Sequence, residues 1–172
     1  RVRTAQSTAN LYAFPMGRRD ASMSAEQISE FLAAGHKLHV ATLGPDDYPH
    51  LTTLWYVIRA DRITFRSFSK SHRIVNLRRD ARLTVLVEEG DTYADLRGVM
   101  MKGRARLIED RATVLEVYGR VAAKYEGSGE DAALDIEALE VLFGRHAEKN
   151  TVVMVEPEEV ASWDHRKLGG AY

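Results

Sequence analysis

The feature that most limits what this chain can fold into is a succession of β-patterned runs whose connections are too short to hold crossover helices. LHVATLG, HLTTLWYVIRA and ITFRSF follow one another, separated by Gly44-Pro45-Asp46-Asp47 and by a tight turn at Ala60-Asp61-Arg62. Joining parallel strands takes a connection of about a dozen residues or more, so these runs pair as an antiparallel meander. LTVLVEE and LRGVMMKGRARLIED supply a fourth and a fifth strand, and TVVMVEP a sixth, with EVASWDHRKLGGAY closing the chain. Gly98 and Gly103 in the fifth run mark bulges or places where a ligand or a neighbouring backbone comes close. Six strands without βαβ alternation predict a mainly β fold with peripheral helices, a closed or split antiparallel barrel rather than a doubly wound sheet.

Besides the arginine-rich helix that follows the third run, three helices punctuate this pattern. Ser24-Ala25-Glu26-Gln27 has capping-box spacing, and Ile28, Phe31 and Leu32 then fall on one face before Gly35 ends a short amphipathic lid helix. Apolar residues at helical spacing over 111–125 and 132–146, separated by EGSGED, predict a helical hairpin between the fifth and sixth strands. Residues 1–22 carry neither period and read as a tail, which leaves residues 23–172 as one domain, long enough for a single core. The chain has no cysteine, so a disulfide framework, a thiolate metal site and a cysteine nucleophile are excluded. With no apolar run long enough to cross a bilayer and no signal-type N-terminal segment, a cytoplasmic protein without a membrane role is expected. The formal net charge of -1 argues against a dedicated nucleic-acid binder.

The charge is nevertheless concentrated. In residues 66–82, RSFSKSHRIVNLRRDAR, six cations (Arg66, Lys70, Arg73, Arg78, Arg79, Arg82) face one acid, Asp80. A strand end, a Ser/Lys-rich loop and a helix start lie together there, and a helix N-terminus flanked by arginine is a good anion site. Ser71 is placed as the N-cap and Arg73 in the first turn, where a cation opposes the helix dipole unless an anion satisfies both. Arg66 and Lys70 close on the anion from the strand and the loop. Arg78, Arg79 and Arg82 read equally as a solvated helix face or as ligands.

Together PHLTTLWYV, KSHRIVNLRRDAR, EEGDTYADLRGV and SWDHRKLGG resemble the split-barrel flavin and deazaflavin oxidoreductases related to pyridoxamine 5'-phosphate oxidase, and most of all the actinobacterial branch thought to use the deazaflavin coenzyme F420. The resemblance runs from about residue 23 to the end of the chain. It implies a six-stranded split β-barrel of the FMN-binding type and a homodimer with a cofactor in each of two interface clefts. It also implies a phosphate grip of Arg66, Ser67, Ser71 and Arg73, with Lys70 and His72 beside it, and a ring-backing strand at Leu51, Thr52, Thr53 and Leu54, while Arg78, Arg79 and Lys70 would meet the polyanionic tail of F420. Arg73 stands where many relatives have lysine, and Gly98 where the oxidase sets a glutamine against its flavin. Trp163 resembles the oxidase tryptophan at the cofactor edge. The oxidase's residues for the substrate phosphate have no counterparts, which argues against vitamin B6 oxidation.

The function this implies is hydride transfer from F420 to a small or planar conjugated acceptor, with FMN as the alternative cofactor and a non-catalytic cofactor or haem-type ligand binder as the reading from another class. His165, Tyr93 or water are the candidate proton donors. No metal site is expected, because odd spacing puts His36 and His39 on opposite faces of a strand. Trp55 and Tyr56 read as core and barrel wall, and Glu88, Glu89 and Asp91 as a solvated acidic turn.

Overall fold

The computed structural model describes residues 21–126 and 135–169, so residues 1–20, most of the expected tail, lie outside the described ones. Its centre is one antiparallel sheet of seven strands in the order β2-β1-β5-β6-β7-β4-β3. The strands are β1 (Leu38–Leu43), β2 (Pro49–Leu54), β3 (Val57–Arg59), β4 (Arg62–Phe68), β5 (Arg82–Glu89), β6 (Arg97–Ile108) and β7 (Asn150–Asp164). Four helices accompany them: α1 (Ala25–Ala34), α2 (His72–Arg79), α3 (Arg111–Glu126) and α4 (Ile136–Ala147).

The strand count differs from the expected six because HLTTLWYVIRA breaks at Trp55 and Tyr56. The Tyr56 amide donates to Tyr125 Oη of α3 at 3.1 Å and its carbonyl accepts from the same hydroxyl at 3.3 Å, so neither backbone group is free to join a ladder. Tyr56 is fully buried as expected, whereas Trp55 is 58% exposed and stacks on Tyr125 at 4.5 Å. The break also sets the shape. β2 and β3 are the two outer strands of the sheet, yet only two residues separate them in the chain. At 3.8 Å per Cα step, Leu54 and Val57 cannot lie more than about 11 Å apart. The sheet therefore curls until its edges nearly meet, a split barrel with one open seam.

Alternation fills the barrel. Leu38, Val40, Phe65, Val85, Val99 and Met101 point inward and are almost wholly buried. Ile28, Phe31 and Leu32 of α1 close one part of this core, and Ile74 and Leu77 of α2 another. Ser24 makes both capping-box bonds with Gln27, as its spacing predicts. A second cluster, with Val114, Leu115, Val117 and Val121 of α3, Leu139 of α4 and Val57 and Val152 of the sheet, attaches the helical hairpin outside the barrel. The expected start of its second helix at residue 132 falls outside the described residues.

The last strand is 15 residues long and runs on into the segment expected to close the chain, ending at Asp164. Pro157 is tolerated because it pairs with Gly103 at the register shift between Lys102 and Gly103, where the ladder is already interrupted. A Cβ on Gly103 would stand 2.1 Å from the Glu156 carbonyl oxygen and 2.9 Å from Pro157 Cα, both rigid backbone. Gly103→Ala is accordingly expected to cost about 1–3 kcal/mol of stability, read from the urea midpoint; an unchanged midpoint would contradict this register.

Candidate functional site

The seam is closed at one point by a side chain. Arg73, in the first turn of α2, donates from Nε to Thr52 Oγ1 of β2 at 3.1 Å and from Nη1 to Ser67 Oγ of β4 at 2.7 Å. One guanidinium thus joins both margins of the open sheet. Ser67 Oγ also shares a hydrogen bond with Ser71 Oγ at 2.9 Å. Thr52, Ser67, Ser71 and Arg73, four of the predicted residues, form one connected cluster.

Two features prepare this cluster for an anion. Ser71 is the N-cap of α2, but its hydroxyl makes no cap bond, which leaves first-turn amides of the helix without a side-chain partner. Burial pushes the Arg73 guanidinium below its ordinary value, and no carboxylate among the described residues pairs with it. A guanidinium has five N–H donors, and only two of its groups are engaged here. Arg73 keeps its charge in a half-buried place where nothing negative answers it.

The other predicted residues divide. Arg66 lies one position from Ser67 and so points to the opposite face of β4, where its Cζ sits 3.7 Å over the Tyr118 ring. Its Nε is buried without a partner, and burial lowers its pKa too. Lys70 is exposed in the turn that Ser71 N closes on the Phe68 carbonyl at 2.8 Å. His72 is exposed, its ring 5.7 Å from that of His50. Leu51 and Thr53 point outward from β2, while Thr52 and Leu54 point to the barrel side.

The arginines beyond the cradle are engaged by their own chain. Arg78 pairs with Glu109 at 2.5 Å and donates to the Ser69 carbonyl. Arg82 holds Asp80 in a two-pronged ion pair, and that hydrogen bonding keeps the Asp80 carboxyl down at about 2. Among the described residues Arg79 donates only to the Leu43 carbonyl and forms no ion pair. It lines a cleft of about 480 Å³ with Asp46, Tyr48, His50, His72 and Val75, and His72 is the sequence neighbour of Ser71 and Arg73.

Gly98 and Trp163 are directly paired across β6 and β7. A Cβ on Gly98 would fall 2.2 Å from Trp163 Cζ2, so the indole lies over the position a side chain would occupy. His165 and Tyr93 also meet, with rings 4.7 Å apart and His165 Nδ1 2.9 Å from the Tyr93 carbonyl. One constellation escaped sequence reading: Thr53 Oγ1 lies 3.1 Å from His39 Nδ1, and His39 Nε2 lies 3.4 Å from Glu88 Oε1. Only the register could have revealed it, since it brings three strands together. His36 goes elsewhere, to the edge of the Tyr125 ring.

Residues 24–164 match the family described as pyridoxamine 5'-phosphate oxidase. Among solved structures, a conserved hypothetical protein from Mycobacterium tuberculosis is 35% identical, with 91% of this chain and 94% of that one covered and a TM-score of 0.82. An F420 reductase shares the fold at 16% identity, covering 77% and 94% of the two chains, TM-score 0.57. So does an FAD-binding protein from Mesorhizobium loti at 18% identity, 82% and 94% covered, TM-score 0.58. No curated protein matches the sequence. Because Trp163 is a movable side chain, Gly98→Ala is expected to displace the indole and shift its emission maximum, measured in a Trp55→Phe background. Unchanged emission would mean that the ring does not rest on Gly98.

Proposed function

The chain belongs to the pyridoxamine 5'-phosphate oxidase family, and from that premise we propose that it is an oxidoreductase using the deazaflavin coenzyme F420 to transfer hydride to a small or planar conjugated acceptor. The observation that carries this reading is the uncompensated Arg73 cation between Thr52 and Ser67, beside a helix start whose N-cap hydroxyl is turned away. A phosphate fits that donor set and supplies the missing negative charge. In this assignment Thr52, Ser67, Ser71 and Arg73 hold the phosphate and β2 backs the ring. The bound coenzyme supplies the hydride, while the protein fixes position and excludes water.

Two observations favour the deazaflavin over FMN. Trp163 covers Gly98, where a flavin-contacting glutamine side chain has no room. Lys70 is exposed and Arg79 forms no ion pair among the described residues, which suits a longer, polyanionic tail. FMN remains the second reading, because a single phosphate already satisfies the cradle.

The assembly we propose is a homodimer. The outward row of β2, β1, β5, β6 and β7 carries Ala41, Leu43, Leu51, Leu86, Met100 and Ala161, while the described helices pack chiefly on the barrel interior and on β3, β4 and the start of β7. Trp163 stands four strand spacings from Thr53, about 19 Å, farther than one tricyclic ring spans. A second copy on this face would bring its Gly98 and Trp163 to the ring held on β2.

Titration with oxidised F420 and with FMN, side by side, tests the assignment. Arg73→Ala is expected to weaken either cofactor by tenfold or more, the scale of a charged hydrogen bond. Arg79→Ala should weaken F420 alone; equal losses for both would contradict the division. Unchanged coenzyme and tryptophan fluorescence on adding F420 would end the deazaflavin reading, and a colourless protein that takes up no FMN would end the second. Tight binding without turnover across a panel of acceptors would make the protein a carrier. Sedimentation should give twice the chain mass; a monomer would contradict the shared cleft.

A further inference from the structure

The outward face of the sheet holds a chain of hydrogen bonds that the cradle does not use. Thr53 faces His39 directly across β2 and β1, and Glu88 reaches His39 diagonally from β5. The distances are 3.1 Å from Thr53 Oγ1 to His39 Nδ1 and 3.4 Å from His39 Nε2 to Glu88 Oε1. Both ring nitrogens are therefore engaged, one by a hydroxyl and the other by a carboxylate. The His39 and Glu88 side chains are 28% and 41% exposed, so the carboxylate end is open to water. Thr53 sits next to Thr52, whose hydroxyl accepts from Arg73. One edge strand carries the anion grip on its inner side and this chain of groups on its outer side.

Resting on the oxidoreductase reading above, we propose that Thr53, His39 and Glu88 form a proton relay that delivers a proton to the acceptor through the Thr53 hydroxyl. Reduction of a conjugated double bond by two electrons takes one hydride, from the reduced cofactor, and one proton. The Thr53 O–H bond breaks as its proton goes to the acceptor, and protonated His39 restores it by giving up the proton on Nδ1. Neutral His39 keeps its proton on Nε2 toward Glu88 and regains one on Nδ1 from solvent, so each turnover consumes one solvent proton. Glu88 holds the ring orientation and stabilises the imidazolium. Thr53 is the catalytic residue, and His39 and Glu88 are positioning residues that act through it.

The charged groups around His39 are few. Glu88 contacts it from β5, and Thr53 on β2 is neutral. Lys37 precedes β1 on the same side by alternation and is exposed. Farther along the face, Lys102 of β6 and Glu159 of β7 neutralise each other at 3.2 Å, while the Arg97–Glu89 pair lies on the opposite face, with Arg97 over the Phe31 ring.

The test combines kinetics with a measurement on the cofactor-free protein. Thr53→Val should lower kcat on the order of 10²-fold, the usual scale of acid–base assistance, with cofactor affinity within about twofold of wild type, and Thr53→Ser should restore most of the rate. In wild type the rate of acceptor reduction should fall as pH rises, and this limb should vanish in His39→Gln. In the cofactor-free protein, ¹⁵N NMR should show neutral His39 as the Nε2–H tautomer, and Glu88→Ala should mix the two tautomers. An active wild type whose kcat and pH profile survive His39→Gln overturns the relay alone, as does a His39 tautomer indifferent to Glu88→Ala. A wild type that turns over no acceptor with either cofactor overturns the oxidoreductase reading and the relay with it.

Discussion

The structure depends on one guanidinium placed where a barrel fails to close. The seven-stranded sheet curls until β2 and β4 approach, but they share no ladder, and Arg73 spans the gap with one hydrogen bond to Thr52 and another to Ser67. A hydrophobic bridge would close the seam as well. A half-buried cation without a carboxylate carries a desolvation cost that only an anion offsets fully. The same side chain therefore spans the seam and, in the function proposed above, meets the anion of the ligand.

The strand at that seam has two chemical sides because strand residues alternate. Thr52 turns in to Arg73, and Thr53 turns out to His39 and Glu88. The rest of the outward face carries apolar side chains, and the Trp163 indole is seated on Gly98.

Much of this was legible in the residues. The alternation of LHVATL, ITFRSF and RLTVLVEE located their strands, the Ser24–Gln27 spacing located a cap, and Ser67, Ser71 and Arg73 read as one group and do meet in one hydrogen-bonded cluster. What stayed hidden depended on partners distant in sequence. The break at Tyr56 needs the Tyr125 hydroxyl, and the passage of β7 through Pro157 needs the bulge at Gly103. The positive charge of residues 66–82 is smaller in effect than in count, because Glu109 answers Arg78 and Asp80 answers Arg82. Arg66 leaves the cluster by strand alternation alone, and lies against Tyr118. His39, weighed in the sequence only with His36 as a metal pair, gains its partners Thr53 and Glu88 through the register.

The central claim is that Arg73 recognises a cofactor phosphate, and the most direct measurement isolates that phosphate. Affinities of a phosphorylated cofactor and of its dephosphorylated counterpart, FMN against riboflavin or F420 against its deazaflavin core, are compared in wild type and in Arg73→Ala. The account predicts that the phosphate strengthens binding by tenfold or more in wild type and adds little once Arg73 is gone. An equal phosphate increment in both proteins would contradict it, and would leave Arg73 as a stitch across the seam alone.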